Sequence, residues 1–320
     1  MPASTEVLDP ETKPANAQAS SYKPLSLKMA WQLAAPHTWP ASIMPVMIAV
    51  STAYTCEGVL SVSMSLVLLL ICALMQSSVN TLNDYFDYVK GTDSANDNVE
   101  VSDAVLVYNN INPKSALGLA IAFLVCAFLL GIYPIMVAGY VPLIFALIGA
   151  LIVALYSGGK TPISYLPIGE LVSGFVMGGL IVVASYYVLT ETLPLAAWIW
   201  AIPTTIGVAL IMFTNNSCDI EKDIEAKRKT LSVIIGRKKA RAAYHALILI
   251  WIAFILVIEL VWFREGLIMA PFMLLAAYPF INALWKNPLA PPSRIAAMSQ
   301  ICTVNVVLGS FYALGIVLGI

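Results

Sequence analysis

The chain has 320 residues, of which 60% are hydrophobic and only 11% charged, with a formal net charge of −1. Soluble domains carry about 25% charged residues, so this chain cannot cover a globule with polar surface, and its balanced charge offers nothing to nucleic acid. Five scattered cysteines and two distant histidines, His37 and His245, make no CxxC or Cys/His pattern, which argues against a disulfide framework or a zinc site.

In chain order, residues 1–25 are rich in Pro, Ala, Ser and Thr and lack an apolar h-region. They have the composition of a disordered tail and not of a signal peptide. The remainder, 26–320, is expected to be a single membrane domain. Its apolar blocks run about 17–25 residues, the length that crosses a hydrocarbon core of ~30 Å. Nine spans are expected, over about 38–55, 60–82, 115–137, 140–157, 168–190, 195–215, 242–263, 267–285 and 295–319. The short connections between several of them imply antiparallel neighbours. With the N-terminus placed in the cytoplasm, every one of the 17 Lys and Arg residues except Arg264 falls on the inner side. That asymmetry follows the positive-inside rule. The expectation is therefore an all-α membrane protein of nine transmembrane helices, with its N-terminus cytoplasmic and its C-terminus outside. The long polar connections, 83–114 and 216–241, both lie inside, so function is expected at the cytoplasmic face of the cell membrane.

Each of those connections opens on an acidic cluster. After the second span come Asn80, Asn83, Asp84 and Asp87, spaced i, i+3, i+4 and i+7 and so on one helical face. After the sixth span come Asn215, Asn216, Asp219 and Asp223, the first, third and fourth again on one face. Carboxylates and carboxamides at helix ends suit hard cations, and Mg²⁺ takes one or two carboxylates, completing its octahedron with water and phosphate oxygens. A facing pair of half-sites would clamp a diphosphate between metal ions. Such residues also end helices and face water for no further reason. Two clusters on one side, each with Asn before Asp, favour the functional reading. Basic residues nearby fit an anion: Lys160, the only charge in the Gly/Pro loop after Tyr156, and Lys227 and Arg228 beyond the second cluster.

These residues resemble the UbiA superfamily of intramembrane prenyltransferases. Its two hallmarks correspond here to Asn83-Asp84-x-x-Asp87…Asp93 and Asp219-x-x-x-Asp223, after the expected second and sixth helices. The likeness runs over nearly the whole chain from about residue 30. Finer features resemble the branch that prenylates 1,4-dihydroxy-2-naphthoate in the menaquinone pathway: Pro36-His-Thr-Trp-Pro, Tyr156-Ser-Gly-Gly, Gly169-Glu170, Tyr186-Tyr187 and Asn215-Asn216-x-x-Asp219. The chain departs from that branch at Ala35, where an arginine is usual, and at Lys227-Arg228, where Gly-Lys is usual. An arginine usual after Asp93 is also missing. The resemblance implies Mg²⁺ held by Asp84, Asp87, Asp219 and Asp223, with Asn80, Asn83, Tyr156, Lys160, Asn216, Lys227 and Arg228 on the substrates. Those substrates are a polyprenyl diphosphate and an aromatic acceptor, in contact with membrane lipid. Another acceptor, 4-hydroxybenzoate or a different ring, is the alternative within the family. A divalent-cation transporter is the alternative outside it, and would want carboxylates near span centres.

Overall fold

The computed structural model describes residues 22–91, 105–159 and 161–319. Their regular elements are helices, apart from one isolated bridge between Lys23 and Ile111. Helix α1, Leu27–Ala34, is capped by Ser26, whose Oγ accepts from Met29 N at 3.3 Å. It stops at Ala35, which takes left-handed φ 45°. A turn at Pro36–Thr38 then leads into α2, Pro40–Glu57, at a bend of 55°. Proline at the first position of α2 lacks a donor that the helix end would leave unused in any case. Helix α3, Val62–Lys90, starts on the Ser61 cap and ends at Gly91, φ 66°.

The short α4, Val105–Asn109, precedes α5, Pro113–Ala138, and α6, Val141–Ser157. Helix α7, Gly169–Thr190, contains a π-helical stretch over Gly174–Leu180. Helix α8, Leu195–Cys218, is interrupted for one residue at Ala201, just before Pro203. Helices α9, Ile220–Glu225, α10, Leu231–Trp262, α11, Ala270–Lys286, and α12, Arg294–Leu318, complete the bundle.

Each segment expected to span the membrane is helical, and the extensions have local causes. The seventh was expected from about residue 242, where the apolar run begins. The helix instead starts at Leu231 and is broken at Gly236, φ 76°. Among the described residues, seven helices are long and apolar enough to cross a membrane, and the bent α1–α2 pair makes an eighth if counted as one span. The remaining candidate, α6, has 17 residues and is shorter than the other spans.

Burial separates centre from perimeter. Only 17% of the apolar windows of α5 and α11 is buried, against 56% for α7 and 50% for α8 and α12. The outer helices instead expose Leu129, Met136, Leu151 and Leu275, an apolar surface that suits lipid and not water. Small residues let the central helices approach closely. A Cβ on Gly174 of α7 would stand 2.6 Å from Thr205 O of α8, and Thr204 Oγ1 donates to Gly178 O at 2.6 Å. Asn305 of α12 donates to Gly207 O at 2.9 Å, and Tyr312 donates to Trp200 O at 3.0 Å. These bonds lock α7, α8 and α12 into one core; α2 packs against α7 and α12, and α3 packs against α2 and α5.

Candidate active site

Helix α3 is apolar over most of its length and polar over its last three turns. There Asn80, Asn83, Asp84 and Asp87 all line one cavity, as their spacing implies. Asn80 is tied down first: its Nδ2 donates to Ala34 O at 2.9 Å and to Thr38 Oγ1 at 2.8 Å. Asp84 is buried, and its carboxylate caps α4, accepting from Val105 N at 2.7 Å and Leu106 N at 3.3 Å. These two backbone bonds use fewer than the roughly four lone-pair sites of a carboxylate. Asp87 accepts from Arg228 Nη2 at 2.9 Å.

The second cluster sits where α8 gives way to α9, at Asp219, φ −101° and ψ 18°. Asn215 and Asp219 line the same cavity as the first cluster. Arg294, at the start of α12, grips both: Nε donates to Asp219 Oδ2 at 3.0 Å and Nη2 to Asn215 Oδ1 at 2.6 Å. Asn216 does not line the cavity; it donates to Glu170 Oε1 at 2.8 Å and so ties α8 to α7. Asp223 does not line it either. Its Oδ2 accepts from Thr230 Oγ1 at 3.1 Å and its Oδ1 lies 3.7 Å from Arg228. Burial pushes the Asp223 carboxyl up to about 6 despite the opposing pull of Arg228 and Thr230.

Arg228 therefore joins the two half-sites, with Asp87 on one side and Asp223 on the other. Its guanidinium also lies 4.7 Å over the Tyr165 ring. Burial opposes its charge, but Asp87, Tyr165 and Asp223 outweigh that and hold its pKa above the ordinary value. The backbone that delivers it is strained: Lys227 has φ 56°, a left-handed conformation that favours glycine. Lys227 itself is exposed and does not line the cavity. Outside the cavity Arg237 binds both oxygens of Glu221, at 2.6 and 2.7 Å, and lowers that carboxyl's pKa.

The cavity holds about 400 Å³. Its polar end carries Asn80, Asn83, Asp84, Asp87, Asn215, Asp219, Lys222, Arg228 and Arg294. The rest is mostly apolar, walled by residues such as Leu68, Phe128, Phe145, Val176 and Ile211, with Tyr156, Gln76 and a few hydroxyl side chains also on the wall. Lys160 and Asp93 lie outside the described residues. Sequence reasoning had not placed Arg294, Lys222 or Gln76 in the site. Arg294 follows Pro-Pro-Ser and opens an apolar run, and Gln76 extends the i, i+4 row of Asn80 and Asp84 by one turn.

Among the described residues no three His, Cys, Asp or Glu side chains converge to hold an ion on their own. Mg²⁺ does not need such a cage, because substrate phosphate and water fill most of its shell. The oxygen donors of Asp84, Asp87 and Asp219 around one cavity fit that requirement. Softer metals would call for imidazole or clustered thiolate ligands; no histidine lines this wall, and its one cysteine, Cys72, sits about three turns of α3 before Asp84.

Residues 42–303 match the profile of the UbiA prenyltransferase family. The 1,4-dihydroxy-2-naphthoate octaprenyltransferase of Bacillus subtilis (strain 168) is 31% identical over 313 residues, covering 96% of this chain and 98% of that protein. The Mycobacterium tuberculosis protein of the same name is 28% identical, over 87% of this chain and 94% of its own length. Among solved structures, a UbiA homolog from Archaeoglobus fulgidus bound to DMAPP and Mg²⁺ superposes with a TM-score of 0.63 at 16% identity. That match covers 90% of this chain and 99% of the homolog.

Proposed function

The chain belongs to the UbiA prenyltransferase family, and we propose that it moves a polyprenyl group from its diphosphate onto 1,4-dihydroxy-2-naphthoate, with Mg²⁺ at the diphosphate and loss of the naphthoate carboxyl as CO₂, to give demethylmenaquinone. The reading rests on one observation: both acidic half-sites open into a single cavity whose remaining wall is mostly apolar. The acceptor follows from the likeness to the two octaprenyltransferases.

Asp84, Asp87 and Asp219 would hold Mg²⁺, which when bound neutralises the charge that grows on the leaving diphosphate. Asn80 and Asn83 flank these carboxylates, and Arg228, Arg294 and Lys222 supply donors for phosphate oxygens. Asp223, with Thr230, holds Arg228 in place. The allylic C–O bond breaks and its electron pair leaves with the diphosphate. A ring carbon of the acceptor then donates a pair to the allylic carbon. The bond from that ring carbon to the carboxyl breaks, its pair restores the aromatic ring, and CO₂ departs. The apolar wall keeps water from the allylic cation, and an aromatic face such as that of Tyr156 favours positive charge. A cavity of about 400 Å³ takes a ring and the head of a prenyl chain, so a long tail continues along apolar helix faces into lipid.

In the same reading the chain is a nine-span protein of the cell membrane. Its N-terminus is cytoplasmic, its C-terminus is outside and the polar end of the cavity opens to the cytoplasm.

The test is direct. The purified protein in detergent is given Mg²⁺, labelled polyprenyl diphosphate and a panel of acceptors, and diphosphate, lipid product and CO₂ are followed. Metal-dependent product and CO₂ from the naphthoate are expected, both abolished in Asp84→Ala and Asp219→Ala. Absence of product with every acceptor would refute the transferase reading here, and product from 4-hydroxybenzoate alone would refute the naphthoate assignment.

A further inference from the structure

One polar atom on the cavity wall, Gln76 Oε1, is buried without a hydrogen-bond partner in the chain. Gln76 stands on α3 one turn before Asn80, lines the cavity and is 8% exposed. A fixed sequence of donors sets its amide. Asn80 Nδ2 donates to Ala34 O at 2.9 Å and to Thr38 Oγ1 at 2.8 Å, so both its hydrogens are used and Asn80 Oδ1 is left to accept. Gln76 Nε2 donates to that oxygen at 3.2 Å, and to Thr38 Oγ1 at 3.4 Å. The Thr38 hydroxyl in turn gives its hydrogen to Ala35 O at 2.9 Å. Reversing the Gln76 amide would set its carbonyl against the Asn80 carbonyl. Gln76 Oε1 is therefore the atom left over, and it is buried with no donor. A buried carbonyl without a partner is rare enough to call for one.

Its position says what that partner is. Gln76 lies two turns before Asp84, roughly 12 Å along the helix axis, on the side of the cavity away from the metal-binding end. Its neighbours on the wall are small: Thr38, Ser42 one turn further along α2, and Cys72 one turn back on α3, with Ser42 Oγ donating to Cys72 O at 3.4 Å. Small side chains beside a lone acceptor leave space for a flat ring carrying a hydroxyl.

We infer that Gln76 Oε1 receives a ring hydroxyl of the aromatic acceptor, which makes Gln76 a residue that selects a hydroxylated ring. The inference rests on the prenyl-transfer reading above. It concerns only how the acceptor is recognised, and the diphosphate half of the site works without it. A site built to bond a hydroxyl discriminates strongly against an analogue lacking it, because its own polar group is then stranded.

The test compares 1,4-dihydroxy-2-naphthoate with each of its two monomethyl ethers, in the wild-type enzyme and in Gln76→Met. Wild type is expected to use one ether about 10–100-fold less well in kcat/KM. In Gln76→Met that preference should collapse to within about threefold. KM for the dihydroxy acceptor should rise at least tenfold while KM for polyprenyl diphosphate stays within threefold. Gln76→Leu, which likewise lacks an acceptor oxygen and puts none against the Asn80 carbonyl, should lose the preference in the same way and serves if the methionine variant folds poorly. Equal preference in wild type and Gln76→Met, or an equal loss for all three acceptors, would overturn the inference. Failure of wild type to use the naphthoate at all would instead defeat the reaction on which it rests.

Discussion

Replacing Arg294 by methionine removes the cation that faces Asp219 and leaves the volume nearly filled. The pair is close, 3.0 Å, and both side chains are largely buried, at 9% and 12% exposure. At that separation the attraction is roughly 5 kcal/mol for an effective dielectric near 20. Removing one partner of a buried pair typically costs about 3–5 kcal/mol, because the other charge is stranded. Asp219 borders a cavity that admits water, so a cost of about 2–3 kcal/mol is expected here. Removing both partners, in Asp219→Asn/Arg294→Met, leaves no stranded charge and should recover most of that loss. Thermal unfolding in detergent with a chelator reads the order directly. Arg294→Met should melt lowest, with the double variant between it and wild type. If the double variant melts at or below Arg294→Met, the two side chains are not coupled and the reasoning fails. In the activity assay Arg294→Met should raise KM for polyprenyl diphosphate by about tenfold or more, since a charge-assisted bond contributes about 1.5–3 kcal/mol.

Lys227→Gly should stabilise the protein by roughly 0.5–1 kcal/mol, because φ 56° costs a side-chain-bearing residue more than glycine loses in chain entropy. Its activity should be unchanged; a drop beyond about threefold would show that the Lys227 ammonium binds diphosphate after all. Asp84→Asn keeps one acceptor oxygen and sets an amide NH₂ against the other of the two N–H donors, Val105 and Leu106. It should cost about 1–2 kcal/mol as a lost cap and also abolish Mg²⁺-dependent turnover. Intact turnover would remove Asp84 from the metal site. The raised pKa of Asp223, about 6 against an ordinary 3.8, means that the folded state holds this proton more tightly than the unfolded chain does. Its contribution to stability is complete below pH 3.8 and is lost as pH rises through about 6. Metal-free wild type should therefore lose roughly 1 kcal/mol more than Asp223→Asn between pH 5 and pH 7.5, and identical pH dependence in the two proteins would contradict it.

What the sequence disclosed was whatever periodicity carries. Asn80, Asn83, Asp84 and Asp87 share a helical face by spacing alone, and that face does line the cavity. The same rule misplaced Asp223. Its spacing from Asn215 and Asp219 implies a continuous helix, but the chain departs from helical geometry at Asp219 and Asp223 turns to Arg228 and Thr230 instead. Arg294 was read as one more positive charge at an inner helix end, because its partners are 75 and 79 residues away. Gln76 carried no charge to distinguish it from the surrounding apolar run, although it continues the row of Asn80 by one more turn. The departure at Lys227 was visible as a residue change. Its meaning as backbone strain needed the dihedral angle.

The placement of the arginines bears on how such a site survives without its metal. Asp84, Asp87, Asp219 and Asp223 crowd around or beside one low-polarity cavity, an arrangement that self-repulsion would open. Arg228 follows the second cluster in sequence yet bonds Asp87 of the first, and Arg294 from the last helix holds Asp219. With Lys222 also on the wall, three cations face four carboxylates, so the site is close to neutral before anything binds. A diphosphate arriving alone would meet carboxylates that the arginines only partly offset. One arriving with Mg²⁺ would let the metal take over the carboxylates and free the guanidinium donors for phosphate oxygens. On the proposed function, the arginines would serve twice, as counterions in the resting protein and as anion ligands in the loaded one. On that account the order of addition matters: polyprenyl diphosphate without Mg²⁺ should bind poorly, and a variant that keeps the carboxylates but lacks Arg228 should lose its resting stability and its diphosphate affinity together.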